Sequence, residues 1–338
     1  MPDKKKNSFT YPLTKEQATS LLLLFAERGY KRRTGVPYTV ASVEGPRCII
    51  NVYTSGKCVI QGRGAEDFVL FTLEPEILKH AALGYEDVWD ATTGVPHLGS
   101  DESGKGDFFG PLVACAAYAD KELAGKMRDI GVKDCKQLTD ITCLAIASRL
   151  ETLLGNGCFK RVMVGVRRYN QLYAKMHSVN RILAWIHAQC IAELFITRPD
   201  VQLAVADQFG DETLIATALK SALKKRGLEN RAYKLDQHHK AESDIAVAAA
   251  SILARATFLR AIAKMSATYD LEIPKGATNV RDTGVELVTK HGPQALLDCC
   301  KCHFRTTDQV LETCGLKRDV LGPDGAAVSQ LYADKKTS

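Results

Sequence analysis

Apolar positions recur at helical spacing over residues 14–27, with Thr14 placed to cap the first turn and Gly29 to close the helix. The period then shortens to two. Segments 37–43, 47–53 and 58–61 alternate as strands do, and Thr54-Ser55-Gly56-Lys57 supplies a hairpin turn between the last two. A second helical pattern runs from Ala65 to about Lys79. Together these predict a small α-β-β-β-α unit able to fold alone. The segment 86–96, with Thr92-Thr93-Gly94 and a proline, reads as the linker that follows.

Beyond the linker, strands and helices interleave. Strands are predicted at 98–101, 112–118, 159–166 and 201–207, with a weaker one at 232–235. Helices are predicted at 121–130, 139–154 and 180–195, and an Ala-rich helix from Asp244 to about Met265. This order predicts an α/β architecture with a mixed sheet. The chain therefore divides into an N-terminal unit at 1–90, a linker at 91–97, a larger unit at 98–315 and a C-terminal tail at 316–338. The end of that tail, Asp334-Lys335-Lys336-Thr337-Ser338, is polar enough to stay disordered.

At 338 residues the chain exceeds the usual single-domain size, which agrees with two units. Its 46% hydrophobic and 25% charged residues are ordinary for a soluble globular protein. The most apolar run, Leu21-Leu22-Leu23-Leu24-Phe25-Ala26, is too short to span a bilayer, so no membrane partner is expected. The first residues, Met1-Pro2-Asp3-Lys4-Lys5-Lys6, lead into no apolar segment of the kind that directs secretion. Eleven cysteines, an odd number, are scattered through apolar stretches, which fits a reducing cytoplasm rather than a disulfide framework. The cluster Cys299-Cys300-Lys301-Cys302-His303 lacks a second ligand pair at zinc spacing and reads as buried cysteines.

Net charge is +6, but its distribution says more: residues 1–65 hold eleven Lys or Arg against four acids. Such a basic unit, with Lys31, Arg32, Arg33 and Lys57 as candidate phosphate contacts, is suited to gripping nucleic acid, and a solvated basic face is the plainer alternative. The larger unit carries the candidate chemistry. In Asp101-Glu102-Ser103-Gly104-Lys105-Gly106-Asp107 two adjacent carboxylates end a strand and run into a turn. Their mutual repulsion calls for a divalent cation. The two glycines are free to take positive φ and expose N–H groups, and Lys105 adds a point charge, a combination that holds phosphate. Asp207 ends another strand, and Glu242 opens the Ala-rich helix, where Asp244 has a capping role available. Ser103 and Ser251 read as structural, His238-His239 as substrate-side or surface polar residues, and Tyr173 and Trp185 as parts of a packed helical face.

These segments resemble the type 2 ribonuclease H family. The resemblance rests on Gly99 through Pro111, on Asp134-Cys135-Lys136-Gln137-Leu138, and on Lys240-Ala241-Glu242 leading into Ala248 through Arg255, and it spans most of residues 95–310. Lys105 stands where the HII branch usually carries arginine, and the basic N-terminal unit resembles the TATA-binding-protein-like substrate domain of the HIII branch; both favour HIII. The resemblance implies a ribonuclease H-like catalytic domain with a mixed sheet, preceded by a small α+β TATA-binding-protein-like domain. It implies two Mg²⁺ or Mn²⁺ ions held by Asp101, Glu102 and Asp207, with Glu242 as the fourth acid and Asp244 its rival. One ion would activate water and the other stabilise the leaving 3′ oxygen, so that the RNA strand of RNA/DNA hybrids is cut to 5′-phosphate and 3′-hydroxyl ends. Gly104, Lys105 and Gly106 would face the substrate backbone near its 2′-hydroxyl, and Lys136 would be available for a phosphate. The family often has serine where Cys135 stands, and no motif here assigns the tyrosine with which the HII branch senses an RNA–DNA junction. The chain is expected to act as a monomer. The alternatives are an HII-like enzyme that also excises single embedded ribonucleotides, and a hybrid-binding protein without catalysis.

Overall fold

The computed structural model describes residues 7–78, 94–133, 135, 138–238 and 241–329. It divides into two compact units between Asp87 and Val88. In the first, β1 (Ser8–Pro12), α1 (Lys15–Glu27), β2 (Lys31–Arg32), β3 (Thr39–Gly45), β4 (Cys48–Tyr53) and β5 (Lys57–Gln61) precede a helical turn, α2 (Ala65–Phe68). The coil continues as a wider helix over Val69–Leu78, where Pro75 has no N–H to give to an ordinary helical turn. Thr14 caps α1 in a reciprocal box with Gln17. The five strands form one antiparallel sheet in the order β1-β5-β4-β3-β2. β1 and β2 were not expected from the pattern: they are edge strands, and β2 has two exposed residues with no apolar alternation to read.

Both helical segments pack on one face of this sheet. Leu21, Phe25, Phe68 and Leu73 meet Ile50, Val52 and Ile60 there, and each fully buried side chain of this size stabilises by about 1.5–3 kcal/mol. The other face carries the row Thr10, Val59, Asn51 and Ser42, which stand opposite one another across four strands.

The second unit opens with β6 (His97–Ser103) and β7 (Leu112–Ala119), followed by α3 (Lys121–Asp129), α4 (Asp140–Leu154), β8 (Phe159–Val164), α5 (Val166–Met176) and α6 (Val179–Thr197). Then come β9 (Leu203–Asp207), α7 (Glu212–Lys224), β10 (Lys234–His238), α8 (Ile245–Tyr269), α9 (Arg281–His291), α10 (Ala295–Cys299) and α11 (Arg305–Thr313). The sheet order is β10-β9-β6-β7-β8, with β10, β9 and β6 parallel and β7 and β8 antiparallel, so the sheet is mixed as expected. Every residue of β7 is buried, as a strand covered on both faces requires. Along β9, Ala206 packs with Ala184 of α6 and Ile215 of α7, and Val205 packs with Val247 of α8, which places helices on opposite sides.

Among the described residues α8 is the helix whose length and composition would suit a membrane, but 72% of its most apolar window is buried inside the protein. Gly99 explains how closely it lies on β6: a Cβ there would stand 2.1 Å from the Val247 backbone nitrogen. The C-terminal segment expected as a tail from 316 is folded in its first part. Leu321 is buried, and Arg318 donates to Asp308 and to the Cys302 and Gly325 carbonyls. Little in the sequence marks this, because the anchoring is by one leucine and by Arg318 bonded to distant groups.

Candidate active site

Strand alternation sorts the key residues of β6 between two layers. Gly99 and Asp101 face α8, whereas Ser100 and Glu102 face α6. In the parallel pair, Ser100 stands opposite Ala206, so the next residues, Asp101 and Asp207, come together at the carboxyl ends of β6 and β9. Asp101, Glu102 and Asp207 line one cavity of about 300 Å³ with Gly104, Lys105, Gly106, Cys135, Ser251 and Arg255. The predicted acids are thus brought together, apart from Glu242, whose side chain lies outside the described residues. Its backbone turn, Ala241–Ser243, reaches the site: the Ala241 N–H donates to Asp207 Oδ1 at 3.3 Å.

The acids of the cavity lie under like-charge stress. Burial, and then the neighbouring charge of Glu102, push the Asp101 carboxyl up to about 8; Asp207 adds to this, while hydrogen bonds from Ser251 and the Glu102 N–H oppose it. An all-oxygen donor set under like-charge stress fits a hard divalent ion. Among the described residues no three His, Cys, Asp or Glu side chains close into a complete metal cage.

Of the two turn glycines, only Gly104 takes the left-handed region, at φ +93°, and a Cβ on it would meet the Pro111 carbonyl at 2.2 Å. Gly106 has ordinary φ and open space, so it does not need the freedom expected of it. Lys105 Nζ stands 3.9 Å from Glu102 Oε1 and 5.1 Å from the centre of the Phe209 ring. Lys136 lies outside the described residues. In the first unit, Lys31 opposes Glu44 and Arg33 lies 3.8 Å from the same carboxylate, which sets both on the helix-free face with Lys57. Arg32 opposes Val43 of the core and so belongs to the other face.

Asp244 is occupied elsewhere. It caps α8 by accepting from the Ala246 and Val247 N–H groups, and it pairs at 2.9 Å with buried His97. Burial alone would lower the His97 pKa, but Asp244 and the Val95 carbonyl outweigh it and the net shift is upward. Glu242→Gln should therefore lower turnover with little loss of stability. Asp244→Asn should keep most turnover and cost about 1.5–3 kcal/mol of stability, the usual worth of a charged hydrogen bond. Kinetics and thermal melts on both variants check this, and the reverse pattern would transfer the fourth acid to Asp244.

Several residues here escaped the sequence. Ser251, read as simply packing on its helix, lines the cavity, touches Asp101 and lies 2.9 Å from Cys135. Arg255 lines it too, paired at 2.9 Å with Asp140. His187, fully buried on α6, contacts Glu102. Lys301 is also fully buried, and its Nζ donates to the Asp107 and Gly110 carbonyls at 2.9 and 2.7 Å, clamping the loop behind the turn. The neighbouring cysteines are buried with it, as expected. Tyr173 is packed, stacked on His303, but Trp185 is 36% exposed. His238 is half-exposed and lies 3.4 Å from Asp236, while His239 lies outside the described residues.

Burial lowers Lys301 to about 7, against an upward pull from Asp107. The unfolded chain keeps this amine charged up to about 10.4, so the native state binds fewer protons between those values and gains stability as pH rises. The stability of the protein relative to Lys301→Met should grow by up to about 1.4 kcal/mol per pH unit above 7. Denaturant melts at pH 7 and 9 test it, and a pH-independent difference would contradict it.

The model of the ribonuclease HII family matches residues 98–307, and that of a domain of unknown function matches residues 14–80. Ribonuclease HIII of Protochlamydia amoebophila is 39% identical over 276 residues, covering 81% of this chain and 87% of the relative. The chain belongs to the ribonuclease HIII family. Among solved structures, Bst ribonuclease HIII in complex with Mn²⁺ superimposes with a TM-score of 0.58 at 25% identity, covering 90% of this chain and 98% of that one. Ribonuclease H2 of Pyrococcus horikoshii gives 0.54 at 26% identity and matches 98% of its own length but 65% of this chain. The HIII match thus reaches well beyond the part shared with ribonuclease H2. The α/β catalytic fold and the small five-stranded N-terminal unit agree with the architecture the motifs implied.

Proposed function

We propose that this protein is an endoribonuclease that cuts the RNA strand of RNA/DNA hybrids with the help of two divalent ions, Mg²⁺ or Mn²⁺. The observation that carries this is the convergence of Asp101, Glu102 and Asp207 on one cavity beside Gly104 and Lys105. Asp101, Glu102 and Asp207 would hold the ions, with Glu242 completing the set. Bound there, the ions would activate water toward the scissile phosphorus and offset charge on the leaving 3′ oxygen. Lys105, held over Phe209, balances the charge of the substrate phosphate. The left-handed Gly104 lets the backbone turn back sharply beside it, so that main chain approaches the 2′-hydroxyl side of the ribose.

Lys31, Arg33 and Lys57 on the helix-free face would grip the phosphate backbone. Replacing all three with glutamine should raise KM for hybrid with kcat little changed, because these residues belong to a different unit from the acids that carry the chemistry. It should also reduce the slope of log binding constant against log salt by about 2–3, close to one per lost phosphate contact. Arg32→Gln, on the opposite face, should change neither. Unchanged affinity and slope in the triple variant would make the basic excess a solvated surface. A long hybrid should be cut in preference to a duplex with one embedded ribonucleotide, and the opposite preference would favour the HII-like alternative.

A further inference from the structure

We infer that His187 is a positioning residue that sets the orientation of Glu102 for metal binding; this rests on the metal-site reading above. His187 Nε2 lies 3.0 Å from Glu102 Oε2, and Nδ1 lies 2.7 Å from Ser100 Oγ. The Ser100 hydroxyl in turn lies 3.0 Å from the Cys115 carbonyl. Both His187 and Ser100 are fully buried. The chain Cys115–Ser100–His187–Glu102 therefore runs from β7 to the cavity through closed protein.

Its polarity follows from chemistry. A carboxylate needs a donor, so Nε2 carries a proton toward Glu102, and the single Ser100 proton goes either to Nδ1 or to the Cys115 carbonyl. One oxygen of Glu102 is thereby tethered, and the other is turned to the Lys105 side, 3.9 Å from Nζ. Phe209 packs against the imidazole at 5.2 Å between ring centres and fixes its plane. A glutamate has three rotatable bonds, and tethering one oxygen keeps the other from swinging out of the cavity. Partners of this kind typically change metal affinity by about 10- to 100-fold.

Two substitutions separate this role from simple core packing. The Gln amide nitrogen can take the place of Nε2 and still donate to Glu102, whereas the shorter Asn amide takes the place of Nδ1 and reaches only Ser100. The test is Mn²⁺ binding to the full chain, measured by electron paramagnetic resonance and calorimetry without substrate, with thermal melts as the folding control. His187→Asn should weaken Mn²⁺ binding by about 10- to 100-fold, and His187→Gln should restore it to within about threefold of the parent. KM for hybrid should not move in either. Equal Mn²⁺ affinity in the parent and in His187→Asn would overturn the role, as would equal losses in Asn and Gln variants that melt normally. If the parent itself binds no Mn²⁺, the metal-site reading fails and the positioning role falls with it, whereas a parent that binds Mn²⁺ no better than His187→Asn overturns the positioning role alone.

Discussion

Asp101→Asn is expected to lower the cleavage rate by about a thousandfold or more while hybrid affinity stays within a few-fold. The charge it removes sits where Asp101, Glu102 and Asp207 line one cavity, far in sequence from the basic N-terminal unit. Metal ions supply several kcal/mol of transition-state stabilisation, and each 1.36 kcal/mol is tenfold in rate, which sets the scale at about 10³. The same change should raise the melting temperature of the metal-free protein, because a buried carboxyl held against like charges is relieved. It should also abolish the stabilisation that Mn²⁺ gives the parent. Near-normal turnover of the variant at saturating Mg²⁺ would remove Asp101 from the metal site. Opposite signs for function and metal-free stability separate this account from one in which Asp101 merely supports the fold.

Gly99→Ala is the second large effect, and it acts on stability. The added Cβ would stand 2.1 Å from the Val247 nitrogen and 2.2 Å from the Ala246 carbonyl carbon, so the start of α8 must move away from β6. No side-chain rearrangement relieves a collision with backbone. The expected cost is about 4 kcal/mol or more, a large share of a typical domain's stability, and a melting temperature lower by about 10 °C or more. Residual folded protein should also cut slowly, because α8 carries Ser251 and Arg255 into the cavity. Gly106→Ala, two residues past the left-handed Gly104 and in open space, should melt like the parent. A Gly99→Ala protein that melts within about 3 °C of the parent would mean that helix and strand can separate at little cost.

How far the sequence could be read follows from where each residue finds its partner. Asp101 and Glu102 could be read because they are adjacent, and Asp207 because an apolar strand, Leu203–Asp207, runs into it. The mixed sheet could be read because β7 is apolar and buried throughout and β9 is apolar up to its final acid. His187 could not: it sits in an apolar helix, Val179–Thr197, and its partners Ser100 and Glu102 lie on β6, so no local spacing marks it. Lys301 was hidden among cysteines that drew attention to metal binding, although its role is to satisfy carbonyls of the loop at 107–110. Helices α5, α7, α9, α10 and α11 were not predicted, although α5, α7 and α11 carry amphipathic patterns that could have marked them. The choice between Glu242 and Asp244 was open in sequence because both stand at the start of one helix. The structure narrows it by showing Asp244 committed to its cap and to His97.

The most direct test of the central claim is the cleavage of end-labelled RNA, alone, in duplex RNA and in RNA/DNA hybrid, with and without divalent ion, followed by analysis of the product ends. The account predicts cutting of the RNA strand in the hybrid alone, only with Mg²⁺ or Mn²⁺ present, leaving 5′-phosphate and 3′-hydroxyl ends. Cleavage that persists in chelator, or products ending in a 2′,3′-cyclic phosphate, would contradict it.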